Sequence, residues 1–180
     1  MCSFVNQEME MSGKVVSIVM GSESDLAVMQ AAADVLRDFD VGYEMRILSA
    51  HRVPDVVAKF ASDAPSRGIK VVIAGAGWAA HLAGAIAAHA TIPVIGVPID
   101  SSPLNGWDAL LSTVQMPPGV PVATVSVGKG GAKNAAYLAI EILALADDKL
   151  RERLQKFRQK MRESVLAGDS KIQRQFAGEV

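Results

Sequence analysis

Short apolar runs recur along this chain at intervals that leave room for a helix between each pair. Residues 15–20 (VVSIVM) form the first run and end at Gly21; 43–48, 70–74, 94–97 and 120–127 follow. Each run is continuous rather than alternating, the pattern of a strand buried on both faces. Between the first two, Leu26, Met29, Ala33, Leu36 and Phe39 lie close to helical spacing and predict a helix over 26–39. Further helices are expected over 55–64, opened by Pro54 and closed by Pro65 and Gly68, and over 81–90, 108–114 and 132–146. Residues 75–80 and 98–106 read as loops, and Pro117-Pro118-Gly119 breaks the chain before the fifth strand. Strand and helix thus alternate five times with short connections, which predicts an α/β fold with a parallel sheet covered on both faces. Right-handed crossovers place all the strand-to-helix loops along one edge. Ser22, Asp25, His51, Arg52, residues 75–81 and Gln115 are expected to converge there.

Residues 149–166 break the alternation. Leu150, Leu154, Phe157, Met161 and Val165 fall on one stripe among charged and polar residues, the mark of an amphipathic helix that docks on a neighbouring surface or subunit. Residues 168–180 are polar and are expected to fray unless another chain orders them. The organisation expected is therefore a flexible leader over 1–14, an α/β catalytic domain over 15–146, and a C-terminal amphipathic helix and tail over 147–180.

Composition narrows this picture. At 180 residues one main domain is expected. Half the residues are hydrophobic but only 5% are aromatic, so the core must be aliphatic and rich in alanine. A formal net charge of −1 supplies no field for nucleic acid or for an acidic membrane surface, and neither is expected as a partner. The single cysteine, Cys2, has no internal disulfide partner, which fits a reducing compartment. The leader carries Glu8 and Glu10 and lacks the apolar core of a signal peptide, and no run approaches membrane-spanning length. A cytoplasmic protein is expected.

The candidate chemistry centres on Ser49-Ala50-His51-Arg52-Val53-Pro54, between a strand and a helix. An imidazole has an ordinary pKa near neutrality, and a guanidinium is a permanent cation suited to phosphate or carboxylate. A loop at the end of a strand in an open α/β sheet is where ligands bind. The same stretch also reads as a helix-capping loop that happens to hold a histidine. Gly21-Ser22-Glu23-Ser24-Asp25 offers backbone N–H groups and hydroxyls to an anion, and Asp25 suits ribose hydroxyls; it reads equally as a plain N-cap. Gly75-x-Gly77-x-x-Ala80, with Asp100 about twenty residues on, has the outline of a dinucleotide fingerprint. It lies in the third strand–helix unit, Trp78 fills its turn, and it serves equally as a small-residue turn for close packing. His51, His81 and His89 do not have the spacing of a metal site. No P-loop and no Gly-x-Ser-x-Gly elbow occurs.

Taken together, these segments resemble the N5-carboxyaminoimidazole ribonucleotide mutases, the class I catalytic component of phosphoribosylaminoimidazole carboxylation. The likeness runs over 15–146. It is carried by Gly21–Asp25, Ser49–Pro54, Gly75-Ala76-Gly77-Trp78-Ala79-Ala80-His81-Leu82, Leu111-Ser112-Thr113-Val114-Gln115-Met116-Pro117 and Gly131-Ala132-Lys133-Asn134-Ala135-Ala136. The resemblance implies a three-layer α/β/α sandwich of flavodoxin-like kind with an extra C-terminal helix, usually assembled as a homo-octamer. It implies transfer of a carboxylate from N5 to C4 of an aminoimidazole ribonucleotide in purine biosynthesis, without ATP, metal or organic cofactor. It implies that His51 carries the proton. Substrate-binding positions would be Gly21, Ser22, Ser24, Asp25, Ser49, Ala50, Arg52, Gly75, Ala76, Gly77, Ala80, His81 and Leu82. Asp25 would hold ribose hydroxyls, Arg52 and the serines the 5′-phosphate, and residues 75–82 with the Gln115 segment the base. The family commonly has proline at Ala83 and a small residue at Trp78, departures that touch the pocket wall rather than the reaction. Arginine after the histidine resembles class I; class II, which carboxylates with CO2 directly, tends to carry lysine there. A dinucleotide-binding module and a non-catalytic nucleotide sensor remain as alternatives.

Overall fold

The computed structural model describes residues 13–177, so most of the expected leader lies outside the described residues. The chain divides into two compact units, the first ending at Ala139 and the second beginning at Ile140.

In the first unit, strands β1 (Val16–Met20), β2 (Tyr43–Ile47), β3 (Val71–Gly77), β4 (Val94–Ile99) and β5 (Ala123–Thr124) form one sheet in the order β2-β1-β3-β4-β5. Every pairing is parallel. This is the doubly wound order whose topological switch lies between β1 and β3. Helices α1 (Leu26–Asp38), α2 (Pro54–Asp63), α3 (Leu82–Ala87) and α4 (Trp107–Val114) connect the strands, and α5 (Gly128–Ala144) follows β5.

Strand alternation sorts the layers. Val19, Val72, Ala74 and Val94 point to one face and pack with Val57, Phe60 and Ala61 of α2 and Leu82, Ala83 and Ile86 of α3. Residues one position away in register point to the other face. There Gly75 lies against Met29 of α1, so closely that a Cβ would overlap the thioether. Phe39, at the end of α1, meets Tyr137 of α5 edge to face at 6.1 Å. Helices therefore cover both faces, as the continuous apolar strands predict.

The element boundaries depart from the expectation in four places. β3 continues through Gly75–Gly77, which the sequence reads as a loop, because both β1 and β4 pair with it there. β4 continues through Pro98 to Ile99. The Gly96 carbonyl points toward β5, accepting from Val125 N–H at 3.1 Å, so Pro98 also turns its missing donor to that side. β5 pairs only Ile95 and Gly96, and no bond is lost. β5 keeps two residues of the expected 120–127, since Pro121 cannot join the ladder. α5 begins at Gly128 rather than 132, and a Cβ at Gly131 would overlap the Ser126 carbonyl, so glycine lets the chain fold back on itself.

In the second unit, α6 spans Asp148–Phe176, ten residues beyond the amphipathic stretch and through much of the expected frayed tail. Asp147 caps it, accepting from Leu150 N–H at 3.0 Å. Pairs four apart, Gln159 with Glu163 and Gln173 with Asp169, support its exposed turns. Among the described residues no helix is long and apolar enough to cross a membrane.

One ion pair links β1, β2 and the end of α2. Glu44 accepts from Arg67 at 2.9 Å and from Ser17 at 3.0 Å. Burial raises the Glu44 pKa, but the Arg67 and Ser17 hydrogen bonds and the charges of Arg67 and Arg46 outweigh it and leave the carboxyl below its ordinary value. The pair thus adds stability above the ordinary carboxylate range and loses it as pH falls through the depressed pKa. Arg67→Met is expected to cost about 1 kcal/mol at pH 7, discounted because Arg67 is partly exposed. Chemical denaturation at several pH values should show the cost shrinking toward low pH.

Candidate functional site

The site grows from the carboxyl ends of three neighbouring strands. Met20 pairs with Ile47 on one side and Gly75 on the other. One residue on, Leu48 N–H donates to the Met20 carbonyl at 2.8 Å and Gly21 N–H to the Gly75 carbonyl at 3.2 Å. The chains leaving β1 and β2 therefore start at one height, while β3 runs two residues further, to Gly77, before its own loop begins.

After β1, Ser22 is extended and residues Glu23–Asp25 form a short 3-10 turn that leads into α1. The Asp25 carboxylate turns back to accept Ser22 N–H at 3.0 Å and is only 6% exposed. Burial pushes its pKa above the ordinary value; the backbone N–H groups of Ser22 and Gly21 and the charge of Arg52 offset this only in part. After β2, Arg52 ties two loops together. Its Nη2 donates to the Gly21 carbonyl at 2.7 Å and its Nε to Ser49 Oγ at 3.1 Å. Pro54 opens α2 immediately beyond. His51 Nε2 lies 2.8 Å from Nδ1 of His81, at the start of α3, with the rings edge to face. A hydrogen bond between two imidazoles needs one nitrogen bearing hydrogen and one bare, so the tautomer of one ring fixes the role of the other.

These groups line a cavity of about 620 Å³, a size suited to a small organic ligand. Gly21, Ser22, Ser24 and Asp25 come from the first loop, Ser49, Ala50, His51 and Arg52 from the second, and Ala76, Gly77, His81 and Leu82 from the third. Two residues named from the sequence do not line it. Gly75 is one step too deep in β3 and faces Met29. Ala80 is buried, and its N–H donates to Ser112 Oγ of α4 at 2.9 Å. Gln115, at the end of α4, is exposed and also outside the cavity wall of this chain. Asp100 lies against Gly106 and Gly128 rather than in the cavity, and Gly75 and Gly77 are strand residues rather than a phosphate turn. The dinucleotide outline therefore has no counterpart in the geometry.

Trp78 and Ala79 line the cavity as part of the segment 75–82 expected at the base, and one lining residue, Ser101, lies outside every sequence-based expectation. Ser101 was concealed by the expectation that β4 ends at Val97; it sits so close to Gly77 that a Cβ there would overlap its Oγ. Trp78 is 59% exposed with φ 54°, a left-handed conformation that costs a bulky residue about 1–2 kcal/mol. Among the described residues, no cluster of three His, Cys, Asp or Glu side chains could hold a metal ion.

Fold and site define a class: a doubly wound α/β protein with a polar cavity at the carboxyl edge of its sheet, lined by serines, an arginine and two imidazoles in contact. The AIR carboxylase family model matches residues 15–164, and the chain belongs to that family. It is 58% identical over 147 residues to the N5-carboxyaminoimidazole ribonucleotide mutase of Pyrococcus abyssi, covering 82% of this chain and 83% of that protein. It is 51% identical to the mutase of Bacillus subtilis, over 88% of this chain and 98% of that one. A crystal structure of PurE from Treponema denticola superposes with a TM-score of 0.79 at 29% identity, covering 87% of this chain and 96% of the other.

The raised pKa of Asp25 has a measurable sign. Its ionised form costs more in the folded than in the unfolded chain, so its contribution to stability is greatest below the ordinary carboxylate range and is lost as pH rises through the raised pKa. Asp25→Asn keeps an acceptor for Ser22 N–H. It is expected to melt about 1–3 °C above the wild type near pH 7, and the gap should close as thermal melts are repeated at lower pH.

Proposed function

We propose that this chain converts N5-carboxyaminoimidazole ribonucleotide to 4-carboxy-5-aminoimidazole ribonucleotide in purine biosynthesis, with His51 as the proton carrier. The observation that carries the reading is the His51–His81 contact of 2.8 Å in the wall of a cavity that also holds Arg52, Ser22 and Asp25. A proton relay and an anion site share one small volume.

The chemistry follows from these groups. The N-carboxylate is a carbamate. Protonation at N5 lets the C–N bond break with its electron pair remaining on nitrogen, and CO2 is released. The enamine-like C4 then attacks the CO2 carbon, and loss of the C4 proton restores the aromatic ring. One imidazole serves both steps, giving a proton to N5 and taking one from C4. The hydrogen bond between His51 and His81 orients both rings and gives the proton a second resting place. Arg52 and the hydroxyls of Ser22 and Ser24 bind the 5′-phosphate, and Asp25 accepts from ribose hydroxyls. Confinement does the rest, because a CO2 held beside C4 reacts before it diffuses away.

The reading includes ATP-independent turnover in the cytoplasm by a homo-octamer. Exposed Leu104, Trp107, Leu111 and Val114 in the first unit support burial against further copies. Sedimentation of the purified chain tests the assembly.

Turnover of the N5-carboxylated substrate without ATP, compared with the uncarboxylated substrate plus bicarbonate, decides the reaction. Conversion of only the latter at useful rates would favour direct carboxylation. His51→Asn is expected to lose about 10²–10⁴-fold in kcat while keeping ribonucleotide affinity. Arg52→Ala should raise KM about 10- to 100-fold, with a smaller effect on binding of the dephosphorylated nucleoside.

A further inference from the structure

We propose that Trp78 caps the cavity, stacking on the flat ring of the bound ribonucleotide and retaining the CO2 released in the first half of the reaction. The inference rests on the function proposed above and assigns a role to a residue which that mechanism leaves unused.

Three observations meet at this position. Trp78 lines the cavity yet is 59% exposed, so a large apolar surface stands at the cavity wall with no partner in this chain that would bury it. Its backbone is left-handed, with φ 54°. The other non-glycine residues with positive φ among those described are Asp40 and Asn105, whose short polar side chains tolerate that region; tryptophan does not. The flanking chain holds the conformation in place. Gly77 lies against Ser101 with no room for a side chain, His81 N–H donates to the Ala79 carbonyl at 2.8 Å, and Ala80 N–H is bound by Ser112. Strain held by its surroundings at a ligand cavity points to a role in the bound state.

The chemistry of the cavity says which role. Its first two loops present serines, Asp25, His51 and Arg52, groups that attract water. Ala76 at the end of β3 and Trp78, Ala79 and Leu82 beyond it give the third segment an apolar surface, with His81 as its polar member. An indole face matches a planar, electron-rich imidazole ring. With the phosphate at Arg52 and the ring beside His51, the third loop is what remains to cover the ring. The covered interval is the one after the C–N bond has broken and before the new C–C bond forms. If CO2 escapes then, N5 is left as a neutral amino group on the ring, having kept the electron pair of the broken bond, and the uncarboxylated aminoimidazole ribonucleotide departs as a side product.

The test compares wild type, W78G, W78F and W107F. Glycine accepts positive φ, so W78G is expected to melt no lower than the wild type. Its KM should rise about tenfold or more, and the fraction of turnovers ending in uncarboxylated ribonucleotide should rise severalfold, with W78F restoring part of both. W107F leaves Trp78 as the sole tryptophan, and Trp107 does not line the cavity. Titrating W107F with aminoimidazole ribonucleotide should quench its emission saturably. The proposal is overturned if W78G keeps wild-type KM and product partition, if it changes only the assembly size on sedimentation, or if W107F emission stays flat at saturation. An inactive wild type would instead count against the proposed reaction, and the W107F titration would still decide whether Trp78 covers a bound ribonucleotide.

Discussion

Met20 shares one register level with Ile47 and Gly75, and the cavity depends on that shared height. β1 and β2 end at that level and β3 two residues beyond it, so three loops leave one edge of the sheet within reach of each other. A slip of one residue would move β1 relative to its neighbours and turn its side chains to the opposite face. Two backbone bonds just past the ladder, Leu48 to Met20 and Gly21 to Gly75, extend the pairing to the point where the loops diverge. Arg52 then joins the first two loops through the Gly21 carbonyl and Ser49. Its guanidinium is thus held in place before any anion arrives, which lowers the ordering cost of binding.

The polar groups at this edge are arranged at some cost to stability. Asp25 is buried without a full counter-charge, and its carboxyl is correspondingly harder to ionise. Trp78 occupies a conformation its side chain disfavours. Gly75 and Gly77 leave strand positions without side chains so that Met29 and Ser101 can approach. Away from the site the same fold is conservative: Glu44 is paired and hydrogen-bonded, and apolar side chains fill both faces of the sheet. Stability is supplied by the core and spent at the strand ends, as expected where binding groups must be desolvated and fixed in advance.

The two imidazoles illustrate how the fold assembles one contact from separate pieces. His51 follows β2 and His81 precedes α3, and a crossover helix and a strand lie between them in the chain. Each is exposed alone and unremarkable in its own loop. Brought to 2.8 Å, the two rings hydrogen-bond to each other and meet edge to face.

Much of this was legible in the amino-acid order. Continuous apolar runs separated by helical spacing determined a parallel α/β sheet, because strands buried on both faces tolerate no polar alternation. The loops after the first two strands announced Ser22, Asp25, His51 and Arg52, because strand-to-helix turns in such a sheet share one edge, and a repeated family pattern named their chemistry. Tertiary structure decided what local pattern cannot carry. Whether Gly75 and Gly77 are strand or turn depended on partners from β1 and β4, and the fate of Ala80 on a hydroxyl of α4. The contact of His51 with His81, the burial of Asp25 and the entry of Ser101 into the cavity wall likewise arise from packing between distant segments. Periodicity records which way a residue faces along its own element; only the folded chain settles what stands opposite.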